Sequence, residues 1–350
     1  MILISILTKP NYLNFPIFFE YKNRIEKHIL LYETSSLDSR KVKDIYFSQK
    51  AFLVNYRTNK KNKLNCMVSY IGINLEDLNN FCTELLNDIQ LNKVFINLPE
   101  TLTSFSFILS NEFMKRGANT IIYDKFNNNY TIHNNRKSMI KSLTSIISIE
   151  NHLLLKGYKI LSYTKKDELI KRKKNILEIT KNLTQFKEFS NNYKKTDSSK
   201  GFYRKLVQEI GKNDEHFIKG GIFEEYIYWL IKDNFKLDDI MLGVTVEFEK
   251  NVYNEFDIMF MKDNHLNFIE CKFTDNFKIL DYIYKLETLN KFIDDDGKAM
   301  ILSIGDTEIS SFNLKRSNLM KINIFNVQRF EKKKFLKEVE IIFNLKRITS

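Results

Sequence analysis

Short apolar runs alternate with amphipathic stretches along the first ~135 residues. Residues 75–89 carry apolar side chains every three or four positions, the spacing of a helix with one buried face. A second helical pattern, residues 103–117, ends in a basic turn and Gly117, as many helices do. The apolar runs, each a predicted strand, cover residues 2–8, 27–34, 64–73, 93–99 and 118–124. This alternation predicts a mainly parallel, Rossmann-like α/β domain over residues 1–136.

The second half of the chain has its own α/β pattern. A helix is predicted after Gly220 and Gly221, followed by strands within residues 243–273. A helix over 279–293 and a strand over 299–305 complete the pattern, and together they predict a second domain over residues 201–350. Residues 137–200 are polar and mostly helical in pattern, so we interpret them as a connector between the two domains.

Composition limits the class of protein. The three cysteines have no metal-ligand spacing, which suits free thiols in a reducing compartment. No Gly-x-Gly-x-x-Gly motif follows the first strand, so a dinucleotide cofactor is not expected. The short apolar N-terminus lacks the features of a signal peptide, and no apolar run is long enough for a membrane span. We therefore expect a soluble, cytoplasmic protein.

The positive charge is concentrated in the connector. The chain of 350 residues has a net charge of +12. Residues 136–200 hold 16 Lys and Arg against 6 Asp and Glu, a net of +10, which leaves +2 for the rest. A concentrated basic segment favours contact with a polyanion, and we predict nucleic-acid contacts from Lys171, Arg172, Lys173 and Lys174. The alternative is a helical surface exposed to solvent.

Two strand-like runs in the second domain place acidic residues where they can meet. Side chains alternate along a strand, so Asp257 lies on one face of the first run, and Glu270 and Lys272 share a face of the second. The residues between the runs include Asp263 and Asn264, a favourable turn pair. A hairpin would therefore bring Asp257 beside Glu270 and Lys272.

Two adjacent carboxylates favour a bound cation. At about 4 Å they repel by roughly 4 kcal/mol at an effective dielectric of 20. Mg²⁺ or Mn²⁺ suits such hard oxygen ligands. Lys272 would then orient or deprotonate a water molecule, or stabilise charge on a phosphate. The alternative is a surface hairpin with a plain cross-strand ion pair. On the preceding helix, Glu224 borders the apolar stripe and Glu225 lies on the far side, so Glu224 is the better candidate for a third acid.

One motif of the second domain resembles the PD-(D/E)xK nuclease superfamily. It consists of an acid on a helix, then Asp257, twelve intervening residues, Glu270, one further residue and Lys272. With the segments "GGIFEEYIYWLI", "NEFDIMF", "LNFIECKF" and "YKLETLNKF", the chain resembles CRISPR ancillary nucleases that carry an N-terminal CARF sensor domain. The resemblance implies that Asp257, Glu270 and Glu224 bind the metal and that Lys272 is the catalytic lysine. It also implies phosphodiester hydrolysis of single-stranded RNA or DNA, with possible nicking of duplex DNA, switched on by a cyclic oligoadenylate on the dyad of a homodimer.

Ligand contacts in the first domain are expected at the carboxyl ends of its strands. CARF sensors often carry an Asn-x-Thr-Gly-Gly-Thr-Lys-like loop after the fourth strand. Residues 97–106 stand there in this chain, with Asn97 and several hydroxyls but without the paired glycines and the lysine. The alternative is a strand-to-helix loop with ordinary caps. The predicted ligand residues are Thr8, Thr34, Ser35, Ser36, Asn97, Thr101, Thr103 and Ser104.

The sequence thus predicts a cyclic-oligoadenylate-activated, metal-dependent endonuclease of type III CRISPR defence, with cyclic tetra-adenylate as the expected activator. Two alternatives stay open at this point. One is an unregulated restriction- or repair-type nuclease whose first domain is a scaffold, which the unusual 97–106 loop favours. The other is a non-catalytic sensor that binds nucleic acid, which the intact Asp257, Glu270 and Lys272 argue against.

Overall fold

The protein is described by a computed structural model that covers residues 1–6, 14–33, 67–87, 91–99, 103–134, 137–193, 201–212, 214–275, 277–293, 297–305 and 308–348. It divides into two compact units, Met1–Tyr158 and Lys159–Ser350. Within the described residues no helix combines the length and the apolar character needed to cross a membrane.

In the first unit, the described strands form one seven-stranded sheet in the order β3-β2-β1-β4-β5-β6-β7. Strands β1 to β5 run parallel, as the alternating pattern predicts, and β6 and β7 add an antiparallel edge. The strands are β1 (Ile2–Ile6), β2 (Lys27–Glu33), β3 (Met67–Ile73), β4 (Val94–Leu98), β5 (Asn119–Asp124), β6 (Asn129–His133) and β7 (Ser138–Ser142). The helices are α1 (Phe15–Tyr21), α2 (Leu78–Asn87), α3 (Ser104–Lys115) and α4 (Ile149–Leu155).

Both faces of this sheet are covered, because its strands are apolar on both sides. Leu3 and Leu30 pack with Phe15 and Phe18 of α1 on one face. The neighbouring positions in each strand pack with the apolar side of α3 on the other face, in a cluster that includes Ile4, Ile29, Leu31, Phe105, Leu109 and Phe113. This is the arrangement of a parallel sheet buried between helices. The α/β fold class and the Rossmann-like layout of this unit are confirmed.

In the second unit, the described strands form a six-stranded sheet in the order β13-β12-β11-β10-β9-β8. Strands β8 to β11 are antiparallel, and β11 to β13 are parallel. The strands are β8 (Lys159–Ser162), β9 (Asp239–Glu249), β10 (Val252–Lys262), β11 (His265–Lys272), β12 (Ala299–Ile304) and β13 (Ile322–Val327). The helices are α5 (Lys166–Ile179), α6 (Leu183–Asn191), α7 (Gly201–Ile210), α8 (Ile222–Asn234), α9 (Ile279–Ile293), α10 (Ser311–Leu319) and α11 (Lys332–Phe343).

The predicted connector, residues 137–200, is not a separate body. Its first part belongs to the first unit, since β7 pairs with β6. Its second part belongs to the second unit, where β8 pairs with β9 and the apolar sides of α5 and α6 join the core through Ile176 and Phe186. The apolar positions in these polar helices are few but periodic, and most of them, including Leu169, Ile179 and Phe189, are buried. The division at Tyr158 falls inside the predicted connector, and the domain bounds 1–136, 137–200 and 201–350 stay predictions.

Candidate active site

The predicted hairpin forms, and its turn is built from two residues. Asp263 and Asn264 both have left-handed backbone angles, with φ of 51° and 62°. Two such residues make a type I′ turn, whose twist matches that of paired strands. The register runs from Lys262 opposite His265 to Ile258 opposite Ile269. Just beyond this last pair, farther from the turn, lie Asp257 on β10 and Glu270 on β11.

The pairing between β10 and β11 stops where the candidate site begins. The carboxylate of Asp257 accepts a hydrogen bond of 2.7 Å from the backbone N–H of Cys271. Next to it, the ring of Phe256 packs edge-on against Phe268 of β11, with centroids 5.4 Å apart. The Asp257 side chain thus takes the place of a backbone acceptor and fixes its own carboxylate at the edge of β11.

Glu270 is held by two lysines. The Lys272 ammonium lies 2.8 Å from Glu270 Oε1, and the two residues share one face of β11. The Lys285 ammonium, from α9, lies 3.1 Å from Oε1 and 3.2 Å from Oε2. The Glu270 side chain is only 4% exposed, so these are its charged partners in an environment with little water. Lys285 was not predicted from the sequence.

Glu224 reaches the site from the start of α8. A π-helical turn, Phe217–Gly221, leads directly into α8, and such turns are frequent at functional sites. Gly220 leaves room for the acid, since a Cβ at this position would lie 3.2 Å from Glu224 Oε1. Burial raises the pKa of Glu224 to about 7, with Lys272 opposing the shift and Glu255 and Glu270 adding to it.

The charges at this site are strongly coupled. Burial raises the pKa of Asp257 well above its usual value, and the nearby charges of Glu224 and Glu270 raise it further. For Lys272, burial works in the opposite direction, but the carboxylates of Asp257 and Glu270 raise its pKa above the ordinary value. The site therefore gathers three carboxylates, and the charge of Lys272 opposes the rise in the pKa of Glu224 and Asp257.

The carboxylates of this site fit a divalent metal ion whose remaining ligands are water and substrate phosphates. Among the described residues, no three or more His, Cys, Asp or Glu side chains form a ready metal cage. Mg²⁺ is usually bound by one or two carboxylates together with water and substrate phosphates. Asp257 and Glu270 could supply those carboxylates, since a cation beside them would relieve the repulsion that raises the pKa of Asp257. The catalytic and metal-binding roles of Glu224, Asp257, Glu270 and Lys272 stay predictions.

The raised pKa of Glu224 gives a test that needs no activity. The folded pKa of about 7 exceeds the unfolded value of 4.5, so the wild type loses stability as pH rises through this window. Glu224→Gln avoids that loss. With chelator present, we expect the variant to match the wild type near pH 4 and to exceed it by on the order of 2 kcal/mol at pH 8. Urea unfolding at both pH values measures the difference, and equal stability at pH 8 would contradict the crowded-acid site.

The neighbouring acid, Glu225, has a different place. It is fully buried, and Arg172 of α5 donates a hydrogen bond of 2.6 Å to its Oε2. Arg172 is itself 9% exposed and lies 5.3 Å from the ring of Phe217. The pair therefore ties α5 to α8 inside the core of the second unit. Because Glu225 is paired with Arg172 in the core, Glu224 stays the predicted third acid of the site.

Glu225→Ala is expected to destabilise the protein by about 3–5 kcal/mol, because it leaves the Arg172 charge buried without this partner. Cleavage per folded molecule should change little, whereas Glu224→Ala should lose activity without a comparable loss of stability. Thermal melting and cleavage are measured on the same preparations. The matched control is Arg172→Met combined with Glu225→Leu, which should recover most of the stability. A stable but inactive Glu225→Ala would show that the wrong helix face was chosen.

The predicted basic patch is divided by the structure. Arg172 is buried in its pair with Glu225, and its contact with nucleic acid stays a prediction. Lys173 lies 2.8 Å from Asp233 and 4.1 Å from the ring centroid of Trp229. Lys171 and Lys174 are exposed, and their contact with nucleic acid stays a prediction.

The predicted ligand edge of the first unit is only partly described. Thr8, Thr34, Ser35, Ser36 and Thr101 lie outside the described residues.

Asn97 is fully buried, and its amide donates a hydrogen bond of 2.9 Å to the backbone carbonyl of Asn14. Thr103 caps α3, since its hydroxyl accepts a hydrogen bond from the N–H of Ser106. Ser104 is the exposed first residue of that helix. Ligand contacts from these three residues stay predictions.

The fold defines a class of protein in which a Rossmann-like α/β unit precedes a second α/β unit that carries the candidate site. Residues 211–331 match the family described as Card1-like, endonuclease domain, and this range contains Glu224, Asp257, Glu270 and Lys272. None of the curated proteins matches the chain in sequence.

Three solved structures share the fold. Can2 from Sulfobacillus thermosulfidooxidans in complex with cyclic tetra-adenylate is 16% identical with a TM-score of 0.65, over 97% of this chain and 99% of that one. Protein VC1899 from Vibrio cholerae is 15% identical with a TM-score of 0.70, over 98% and 96%. A type III CRISPR defence DNA nuclease activated by cyclic oligoadenylate is 12% identical with a TM-score of 0.53, over 89% and 47%. The predicted resemblance to CRISPR ancillary nucleases with a CARF sensor and a nuclease domain is confirmed.

Proposed function

We propose that the protein is a metal-dependent endonuclease of CRISPR defence that is activated by a cyclic oligoadenylate. The observation that carries the proposal is the meeting of Asp257, Glu270 and Lys272 at the end of one hairpin, inside the segment that matches an endonuclease domain. A likeness in fold to cyclic tetra-adenylate-bound Can2 supports the activator.

In the proposed reaction, water attacks the phosphorus of a phosphodiester, and the bond to the leaving ester oxygen breaks. The water gives up one proton and the leaving oxygen gains one. Asp257 and Glu270 would hold Mg²⁺ or Mn²⁺, which when bound stabilises negative charge on the phosphate. Lys272 donates hydrogen bonds toward the extra charge that develops on the phosphate oxygens. Its pairing with Glu270 places the ammonium beside the metal-binding carboxylates.

The activator would bind on the two-fold axis of a homodimer of first units. A cyclic oligoadenylate presents several phosphates around a ring, so two copies of the same strand-end loops can bind it symmetrically. The absence of the paired glycines and the lysine from residues 97–106 favours the rival function, an unregulated nuclease. The deciding experiment is cleavage of labelled single-stranded RNA, single-stranded DNA and duplex DNA, with each cyclic oligoadenylate and with none.

Cleavage is expected to need a divalent metal. Activity should appear with Mg²⁺ or Mn²⁺ and stop in excess chelator, because the carboxylates alone repel the phosphate. A second readout is thermal melting, in which Mg²⁺ should raise the melting temperature of the wild type by preferential binding to the folded state. Asp257→Asn should lose most of that rise, whereas the exposed Glu249→Gln is the matched control and should keep it. Full activity in chelator would exclude this mechanism.

A further inference from the structure

A cavity of about 480 Å³ opens at the start of α9. Its lining residues come from α9 and the two positions before it, and they are Phe277, Lys278, Asp281, Tyr282 and Lys285. The volume lies within the range of pockets that hold small organic ligands, roughly 300–1,000 Å³. Lys285 connects the cavity to the candidate active site, because its ammonium contacts both carboxylate oxygens of Glu270.

An aromatic ring stands between this cavity and the candidate catalytic lysine. The Lys272 ammonium lies 4.5 Å from the ring centroid of Tyr282, and the Lys285 ammonium lies 5.9 Å from it. Phe277 contacts the same ring edge-on, with centroids 5.6 Å apart. Tyr282 is therefore held by three neighbours directly beside the candidate catalytic lysine.

The chemistry of the lining suits a nucleotide. Two aromatic rings offer stacking surfaces, and every nucleobase has a face that can stack. Lys278 is exposed and Lys285 is partly exposed, so their ammonium groups can meet phosphate oxygens, while Asp281 is the single acid of the lining. A plain apolar ligand would make no use of the two ammonium groups, and a free anion would make no use of the two rings.

We propose that this cavity is a subsite for the nucleotide next to the scissile phosphate, with its base stacked on Tyr282 and its phosphate bound by Lys278 and Lys285. The inference rests on the proposed nuclease function and adds a substrate requirement to it. A base inside a duplex is stacked between its neighbours and cannot lie on Tyr282. Cleavage at this site therefore needs a nucleotide that is unpaired, frayed or turned out of the helix.

The test separates binding from cleavage. A fluorescein-labelled 12-nucleotide single-stranded DNA is titrated with the full chain in chelator, with and without cyclic tetra-adenylate, and a gel checks that the strand stays intact. The same titration is repeated with strands that carry one abasic residue at each position in turn. The proteins are the wild type, Tyr282→Ala and Tyr282→Phe, which keeps the ring.

Tyr282→Ala is expected to bind the intact strand roughly 5- to 100-fold more weakly, and Tyr282→Phe within about twofold of the wild type. An abasic residue at one position should weaken wild-type binding by a similar factor and have no further effect on Tyr282→Ala. This non-additivity assigns one base to one ring, which a general loss of folding cannot produce.

Equal binding of the strand by Tyr282→Ala and the wild type would overturn the subsite. The subsite would also be overturned if the loss of affinity from Tyr282→Ala and the loss from an abasic residue multiplied at every position. A wild type that binds no strand would overturn it as well. If the wild type cleaves in Mg²⁺ while Tyr282 shows no coupling to any base, the subsite fails and the nuclease function stands. If the coupling is found but no strand is cleaved under any activator, the nuclease function fails and the cavity is a binding site only.

Discussion

Replacing Glu270 with glutamine or Lys272 with alanine is expected to lower cleavage by roughly 10²- to 10⁴-fold. Glu270 is the buried carboxylate on which two lysines converge, and Lys272 is the cation closest to it, at 2.8 Å. Either change removes charge that the transition state requires. Glutamine keeps the volume of the buried Glu270 side chain, so this variant should stay folded. Single-turnover cleavage with saturating activator measures the effect.

The matched controls for these variants are Glu249→Gln and Lys250→Ala, at exposed positions at the end of β9 and in the turn that follows. They remove the same charges from the same unit and should cleave like the wild type. Normal turnover by Glu270→Gln or Lys272→Ala would remove the site assignment. Equal losses in the controls would point to net charge as the cause.

Cyclic tetra-adenylate is expected to raise cleavage about 100-fold, which corresponds to a shift from about 1% to about 99% active molecules. The ligand must then bind the active arrangement better by roughly 5.5 kcal/mol. Several hydrogen bonds to phosphates from two copies of the strand-end loops can provide that difference. Calorimetry should give one ligand per homodimer, and light scattering should give the dimer mass.

Thr103 allows a controlled test of this activation. Thr103→Ala removes the cap of α3, and Ser148→Ala removes the equivalent cap of α4 in the same unit. Both should cost about 1 kcal/mol of stability. Only Thr103→Ala, at the predicted ligand edge, should raise the concentration of cyclic tetra-adenylate needed for half-maximal cleavage. One ligand per monomer, or full activity without ligand, would leave the unregulated nuclease as the function.

Much of the fold follows from periodicity. Strands β1, β2, β4 and β5 lie within the predicted runs, because a buried parallel strand is apolar on both faces and stands out from its surroundings. Strands β6 and β7 were missed. All five residues of β7 are exposed, so its sequence, "SMIKS", carries no burial signal, and its pairing is decided by the neighbouring strand.

The site was predictable where it depends on local geometry. The two-residue alternation and the Asp263–Asn264 turn were enough to bring Asp257 near Glu270 and Lys272, and the helical stripe separated Glu224 from Glu225. Lys285 and the burial of Arg172 were not predictable, because each depends on which element packs against which. A lysine on an amphipathic helix looks the same in sequence whether it meets solvent or a buried carboxylate.

The hydrogen bond between Asp257 and the N–H of Cys271 also bears on how this nuclease unit could change during evolution. An asparagine at position 257 keeps an oxygen that can accept this bond, so the strand edge stays satisfied although the charge is gone. An alanine leaves the N–H of the buried Cys271 without that acceptor and carries a stability cost as well. A lineage that gave up the proposed cleavage while keeping the fold would therefore pass most easily through asparagine, and that residue would mark a descendant without the charge at position 257.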